Sequence, residues 1–291
     1  MEFADDSKNA GHIAQAIRPA SFHTLTDTSS YHVLAIDYRG FGHSTGSPTE
    51  AGLIIDGSTA VEWAMNVANV PANRIVLLGQ SLGTAVASGV AEHFAQEGID
   101  FAGIILVSGF SSLPTMLSHY SIAGYVPVLL PLRSWPWLLD LVLSRIVDKW
   151  ASADRWRETA RTVKQRGGRL RLNLIHADND WDIPSREDDR LFAAAVRGIV
   201  GEGDLVDDET LAVEKERRTT TKGKNAFVAT WKEQDVIVRQ ELFPYGGKPT
   251  TTSGGGKANS APLICVGHNE IMMYAPVTLA VLRSFDLVPG P

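Results

Sequence analysis

The residues with the clearest chemical potential lie at 79–83, Gly-Gln-Ser-Leu-Gly. They stand between an apolar run, Ile75–Leu78, and a small-residue stretch that includes Thr84, Ala85, Ala87, Ser88 and Gly89. A serine bracketed this way marks a strand that turns sharply into a helix. The turn forces the serine backbone into strain and brings the residues two before and two after it together, where glycine fits. Ser81 Oγ would then stand clear at the top of a sheet as a nucleophile. The Leu82 N–H, in the first turn of the helix, would be placed to stabilise an oxyanion.

A serine hydroxyl is a poor nucleophile at neutral pH and needs a base within reach, itself oriented by an acid. Behind such an elbow the chain order is serine, acid, histidine, with the acid after a later strand and the histidine after the last one. Of eight histidines, His268 alone sits between a late apolar run, Pro262–Val266, and a terminal helix. His12, His23, His32, His43, His93 and His119 precede the acid, and His176 ends a strand beside it. Residues 177–184 offer Asp178, Asp180 and Asp182; Asp180 is the first choice and Asp178 the second. A solvated polar turn is the plainer alternative, and a calcium loop lacks its matching glutamate.

Other motifs carry less. Gly40, Gly42 and Gly46 follow an apolar run with the wrong spacing for dinucleotide binding, and a loop follows them instead of a helix. Gly255-Gly256-Lys257 lacks the following Ser/Thr and the leading strand of a phosphate loop. The one cysteine, Cys265, lies in an apolar run and reads as a small buried hydrophobe; it leaves no disulfide framework within the chain. No metal ion and no organic cofactor is implied.

The elements that must hold these residues follow from periodicity. The 291 residues are 44% hydrophobic and 21% charged, a globular balance. A net charge of −6 without a basic block argues against nucleic acid as a partner. Buried strands are expected at 31–37, 75–78, 101–108, 170–176 and 235–243, with helices over 50–69, 81–96, 185–200 and from 268 to 285. Their alternation predicts an α/β fold with a mostly parallel sheet and helices on both faces. The core is expected to span 1–108 and 166–291, with 201–262 a partly disordered, solvated insertion apart from the strand at 235–243. Residues 109–165 break the rhythm. Trp135, Trp137, Leu138, Leu141, Val142, Ile146 and Trp150 predict a helix with a wide apolar surface, a cap or lid over the site with an acyl-binding wall or membrane-facing patch. The stretch 122–147 is broken by Pro127, Pro131, Arg133, Pro136, Asp140 and Arg145 and does not read as a transmembrane helix. Met1–Asn9 lacks the pattern of a signal peptide.

Four segments together, Leu34–Ser44, Gly79–Gly83, His176–Pro184 and Gly267–Glu270, resemble the α/β-hydrolase-domain serine lipases. The subgroup is similar to the eukaryotic, often membrane-anchored lysophospholipid and monoacylglycerol lipases. The resemblance covers residues 9–200 and 263–286. It implies an α/β-hydrolase fold with a helical cap inserted after the strand that follows the nucleophile helix. It implies Ser81 as nucleophile, Asp180, four residues after His176, as acid, and His268 as base. The substrate would be a small-molecule acyl ester or lipid, with peripheral membrane contact through the cap and a membrane-associated location. The family also places a strand ending in His-Gly before Asn-Ala-Gly, whose loop supplies a second oxyanion N–H. Here Asn9-Ala10-Gly11 is present, which makes Asn9 and Ala10 the candidates, but Ser7-Lys8 replaces His-Gly and Glu2–Asp6 gives no strand. The expectation is an N-terminally shortened member whose first strands are missing. Loss of an oxyanion donor costs about two to three orders of magnitude in turnover. A second reading is therefore a catalytically weak or inactive truncated protein of this fold.

Overall fold

The computed structural model of the chain describes residues 2–4, 18–27, 30–119, 121–122, 126–127, 143–180, 182–201, 207–244, 268 and 271–287. Its centre is a seven-stranded sheet. The strands are β1 Glu2–Ala4, β2 Val76–Gln80, β3 Gly103–Val107, β4 Leu170–Ala177, β5 Thr219–Gly223, β6 Ala226–Glu233 and β7 Val236–Phe243. The spatial order is β1-β2-β3-β4-β7-β6-β5. All neighbours from β1 to β7 are parallel, and β6 and β5 close the far edge antiparallel.

Period-2 alternation in the central strands builds two cores. Leu77, Ile104, Leu106, Leu172 and Leu174 face one side and pack with α2 Glu50–Asn66, α3 Leu82–Gln96, α5 Ser152–Gln165 and α6 Arg186–Val200. Val76, Leu78, Ile105, Val107 and Ile175 face the other and meet α1 Arg18–Thr26, a 3-10 turn at Ile271–Met273 and α8 Ala275–Ser284. Burial on both faces is why these strands read as near-continuous apolar runs. The helices covering them start where the sequence supplies caps. Thr49, for instance, accepts a hydrogen bond from Gly52 N–H at 3.1 Å ahead of α2.

Three segments differ from the sequence expectation. Tyr31–Asp37 carries only an isolated bridge at Ala35. Tyr31 and Val33 pack against one core and Leu34 and Ile36 against the other. Alternation fixes which way side chains point; it does not supply a neighbour to bond with. Glu2–Ala4, expected to give no strand, is β1, in register with Leu78, Gly79 and Gln80 of β2. Strand formation there is decided by a partner, which local propensity does not encode. Within 201–262, the charged run folds as α7 Asp208–Arg217 and the next residues as the β5–β6 hairpin. The helix has one buried anchor, Leu211, and an Asp207 cap that accepts from Thr210 N–H at 2.6 Å. Composition hides such a helix because nearly all of its surface is polar. Residues 245–262 of the expected insertion and the apolar run 262–266 lie outside the described residues, as does Cys265.

Of the expected cap, 128–142 lies outside the described residues, with Trp135, Trp137, Leu138, Leu141 and Val142. Its base is described. Leu113 N–H donates to Lys149 O at 2.9 Å and Ala153 N–H to Ser111 O at 3.0 Å, so the segment leaves and re-enters through one neck. The neck is tied to the core by Glu187, which accepts from Ser111 N–H at 2.9 Å, and by Glu50, which accepts from Trp150 N–H at 2.9 Å. Trp150, expected on the cap helix, lies outside any helix and is buried in the core. α4, Leu113–His119, begins the excursion.

Trp156 anchors α5 to α3. It is fully buried, and its Nε1–H donates to Ser88 Oγ at 2.8 Å. Trp156→Ala is expected to cost about 3–5 kcal/mol. Trp156→Phe, which shortens the ring and removes the Nε1–H donor while Ser88 Oγ keeps its own bond to Thr84 O at 2.7 Å, should cost less, about 1–3 kcal/mol. Urea unfolding checks both, as a lower midpoint at unchanged slope.

Candidate active site

β2 ends at Gln80, and α3 begins at Leu82 with Ser81 as the residue before it. Ser81 has φ 54° and ψ −123°, a conformation that L residues avoid. The neighbours that hold it there are visible. Ser81 N–H donates to Val107 O at 3.0 Å, and Ser81 O accepts from Thr84 N–H at 2.9 Å and from Thr84 Oγ1 at 2.6 Å. A Cβ on Gly79 would stand 2.4 Å from Gly83 O and 2.8 Å from Thr84 N, all of it backbone that cannot swing aside. This close approach is the physical content of the two glycines in the motif. Leu82, at the first helical position, is half-buried, and its N–H belongs to the turn that has no intrahelical acceptor.

Asp180 and His268 are brought together from 88 positions apart in the sequence, with His268 Nδ1 at 2.7 Å from Asp180 Oδ2. Asp180 follows β4, and His268 follows β7, the parallel neighbour of β4, by way of residues 244–267. The other Asp180 oxygen, Oδ1, accepts from Asp182 N–H and Ile183 N–H, each at 3.0 Å. The carboxylate is therefore gripped by its own turn on one side and by the imidazole on the other. Asp178, the second choice, turns away and accepts from Asn225 Nδ2 at 2.7 Å at the β5–β6 turn. Asn9 and Ala10 lie outside the described residues.

Sequence reasoning did not find the group that joins the histidine to the elbow. Gln80 Nε2 donates to the backbone carbonyl of His268 at 2.7 Å. Gln80 is buried and next to Ser81. The available signal was a primary amide ending an otherwise apolar strand. His176, a strand end by sequence, is fully buried, and its Nε2 lies 2.8 Å from Ile183 O.

The electrostatics follow from burial and neighbours. Burial alone would raise the Asp180 carboxyl, but the charges and hydrogen bonds of His268 and His176 outweigh it and hold the group well below the usual carboxylate range. Burial favours neutral His268, but Asp180, aided by Asp182, outweighs burial and an opposing His176, raising the imidazole above its ordinary value. The arrangement is an ionised acid hydrogen-bonded to Nδ1 of a basic imidazole. That leaves Nε2 as the nitrogen able to exchange a proton. Among the described residues no group of three or more His, Cys, Asp or Glu side chains is placed to hold a metal ion, and no helix is long and apolar enough to cross a membrane.

Gly79→Ala tests the elbow, since its methyl would press on the Gly83–Thr84 backbone. A loss of about 1–3 kcal/mol is expected from the overpacking. Thermal unfolding reads the loss; an unchanged midpoint would contradict the close approach.

Comparisons with known proteins bear on the fold and the family. The model of the alpha/beta hydrolase family matches residues 12–249. Human protein ABHD12B is 33% identical over 129 residues, covering 42% of this chain and 35% of that one. The lysophosphatidylserine lipase ABHD12 of Xenopus tropicalis is 27% identical over 177 residues, covering 60% of this chain and 42% of the relative. The matches thus span well under two thirds of the length of these relatives. Among solved structures, an alpha-beta hydrolase from Vibrio vulnificus superposes with a TM-score of 0.52 at 16% identity, over 68% of this chain and 62% of that one, a likeness of fold. The chain belongs to the alpha/beta hydrolase family.

Proposed function

We propose that the chain is a serine hydrolase that cleaves carboxylic esters, with Ser81 as nucleophile, His268 as general base and acid, and Asp180 as the orienting acid. The observation that carries this reading is the 2.7 Å contact of Asp180 with His268, tied to the strained Ser81 turn through Gln80. Ser81 Oγ attacks the ester carbonyl as its proton passes to His268 Nε2. The carbonyl oxygen becomes an oxyanion, which Leu82 N–H stabilises. Collapse breaks the carbon–oxygen bond to the alcohol, which leaves with the proton from His268, and Ser81 keeps the acyl group. Water then attacks the acyl-enzyme, giving its proton to His268. The acid is released as Ser81 recovers its hydrogen. Asp180 stays ionised throughout and holds the imidazole in the tautomer that presents Nε2.

For the substrate we infer a lipid-like acyl ester of the monoacylglycerol or lysophospholipid type. Two things support it: a similar protein is named a lysophosphatidylserine lipase, and the segment between the two ends of the neck is rich in tryptophan and leucine. The same apolar segment is the proposed point of peripheral membrane contact.

Hydrolysis of a short-chain p-nitrophenyl ester and of a monoacylglycerol tests the reading. Ser81→Ala should reduce both to background, and Asp180→Asn should lower kcat by about four orders of magnitude through the wrong His268 tautomer. Retention of full turnover by Ser81→Ala would overturn the assignment. The pH dependence has a definite sign. His268 must be neutral to accept the proton, and its pKa is raised. So kcat/KM should fall on acidification with a midpoint above the ordinary histidine value of about 6.5. A midpoint below that value would contradict the Asp180 pairing.

A further inference from the structure

Behind Asp180 the buried polar groups continue. His176 is fully buried between two carboxylates, with Nδ1 3.2 Å from Asp188 Oδ1 and Nε2 3.5 Å from Asp180 Oδ2. Asp188 is itself fully buried, in the first turn of α6, and neither of its oxygens makes a hydrogen bond of good geometry among the described residues. An imidazole outside the Ser–His–Asp set, buried between its acid Asp180 and a second carboxylate, calls for a role.

We propose that His176 is a positioning residue: held between Asp188 and Asp180 as an imidazolium, it fixes the Asp180 carboxylate in place and thereby tunes the basicity of His268. The protonation follows from the contacts. Ile183 O can only accept, so Nε2, 2.8 Å away, carries a hydrogen. Nδ1 then faces a carboxylate oxygen, where a bare lone pair would be repelled, so a second proton lies between Nδ1 and Asp188. Placed on the imidazole, the positive charge serves both carboxylates at once, and an ionised buried carboxylate needs such a partner. Burial pushes His176 towards neutrality, but Asp188 and Asp180 outweigh it and lift the imidazole well above its ordinary value. Burial also raises Asp188 despite the opposing His176 charge, which keeps a proton on the pair; its place on the imidazole follows from the contacts of Nε2 with Ile183 O and Asp180. The other charged groups bearing on this set are Asp189 and Lys215, which face Asp188, and Asp182, which faces His268.

The contacts thus run Asp188–His176–Asp180–His268. The charge on His176 offsets part of the pull of Asp180 on His268, and it lowers the His268 pKa. Without it, His268 would stay protonated to higher pH and be a base over a narrower range. The inference rests on the reading of Asp180 and His268 as acid and base. A packing role alone would need only the Nε2–Ile183 bond, which a glutamine amide can also make.

Imidazole NMR titration of the full chain separates the two roles without requiring turnover. In the wild-type protein at pH 7 both ring nitrogens of His176 should carry protons; a neutral ring overturns the proposal. In His176→Gln the His268 pKa should rise, by about half a unit or more for a charge removed at this range. A His268 pKa that is unchanged or lower in a folded His176→Gln overturns the proposal as well. If this variant does not fold, the wild-type nitrogen signals still decide. In Asp188→Asn the His176 pKa should fall, and a His176 that titrates as in the wild type also contradicts the ion pair. Absence of ester hydrolysis would refute the serine hydrolase reading by a separate measurement, with the imidazole titrations standing on their own.

Discussion

A fully buried carboxylate must be compensated by charge or hydrogen bonds, and much of this molecule is arranged around the compensation of Asp180. Its own turn supplies Asp182 N–H and Ile183 N–H to one oxygen. A histidine from near the other end of the chain supplies Nδ1 to the second, at 2.7 Å. A further buried histidine stands behind. These groups meet only if β4 and β7 lie side by side and parallel, so that the turn after one faces the segment that follows the other. The sheet order is therefore the condition under which Asp180 can be ionised in the interior.

The second constraint is the approach of Gly79 to Gly83, which lets the chain reverse from β2 into α3 within one residue. The strain of φ 54° at Ser81 persists because both flanks are fixed, β2 by parallel pairing on either side and α3 by burial of Val86, Val90 and Phe94. Gln80 connects the two constraints, since its backbone ends β2 while its side-chain amide holds the His268 carbonyl. The proposed nucleophile and base are thus positioned by adjacent parts of one rigid strand end, and precision of about an ångström is what proximity in catalysis demands.

How much of this was legible in the sequence depends on whether the signal is local. The elbow was, because glycine spacing, an apolar run and a small-residue helix are neighbours in the chain. The loop and the chain order narrow the acid to three candidates, with Asp180 the first choice, and the resemblance points to the same residue. What separates it from Asp178 in the structure is tertiary, since Asn225 of a distant hairpin takes Asp178 while His268 reaches Asp180. β1 and the β5–β6 hairpin were not legible, because a three-residue strand and an exposed polar strand become strands only through their partners. Tyr31–Asp37 shows the converse, a strand-like alternation without a ladder. The pairing of His176 with Asp188 joins a strand to a helix that covers it, and no spacing rule points to it.

The proposed role of Ser81 is that of an activated nucleophile in a unit completed by His268 and Asp180. The most direct test is to expose the full chain to a fluorophosphonate, which phosphonylates only activated serines, and to locate the adduct by peptide mass spectrometry. A single adduct is expected on the peptide containing Ser81, forming faster as pH rises through the His268 titration. No adduct, or one on another serine, would contradict it.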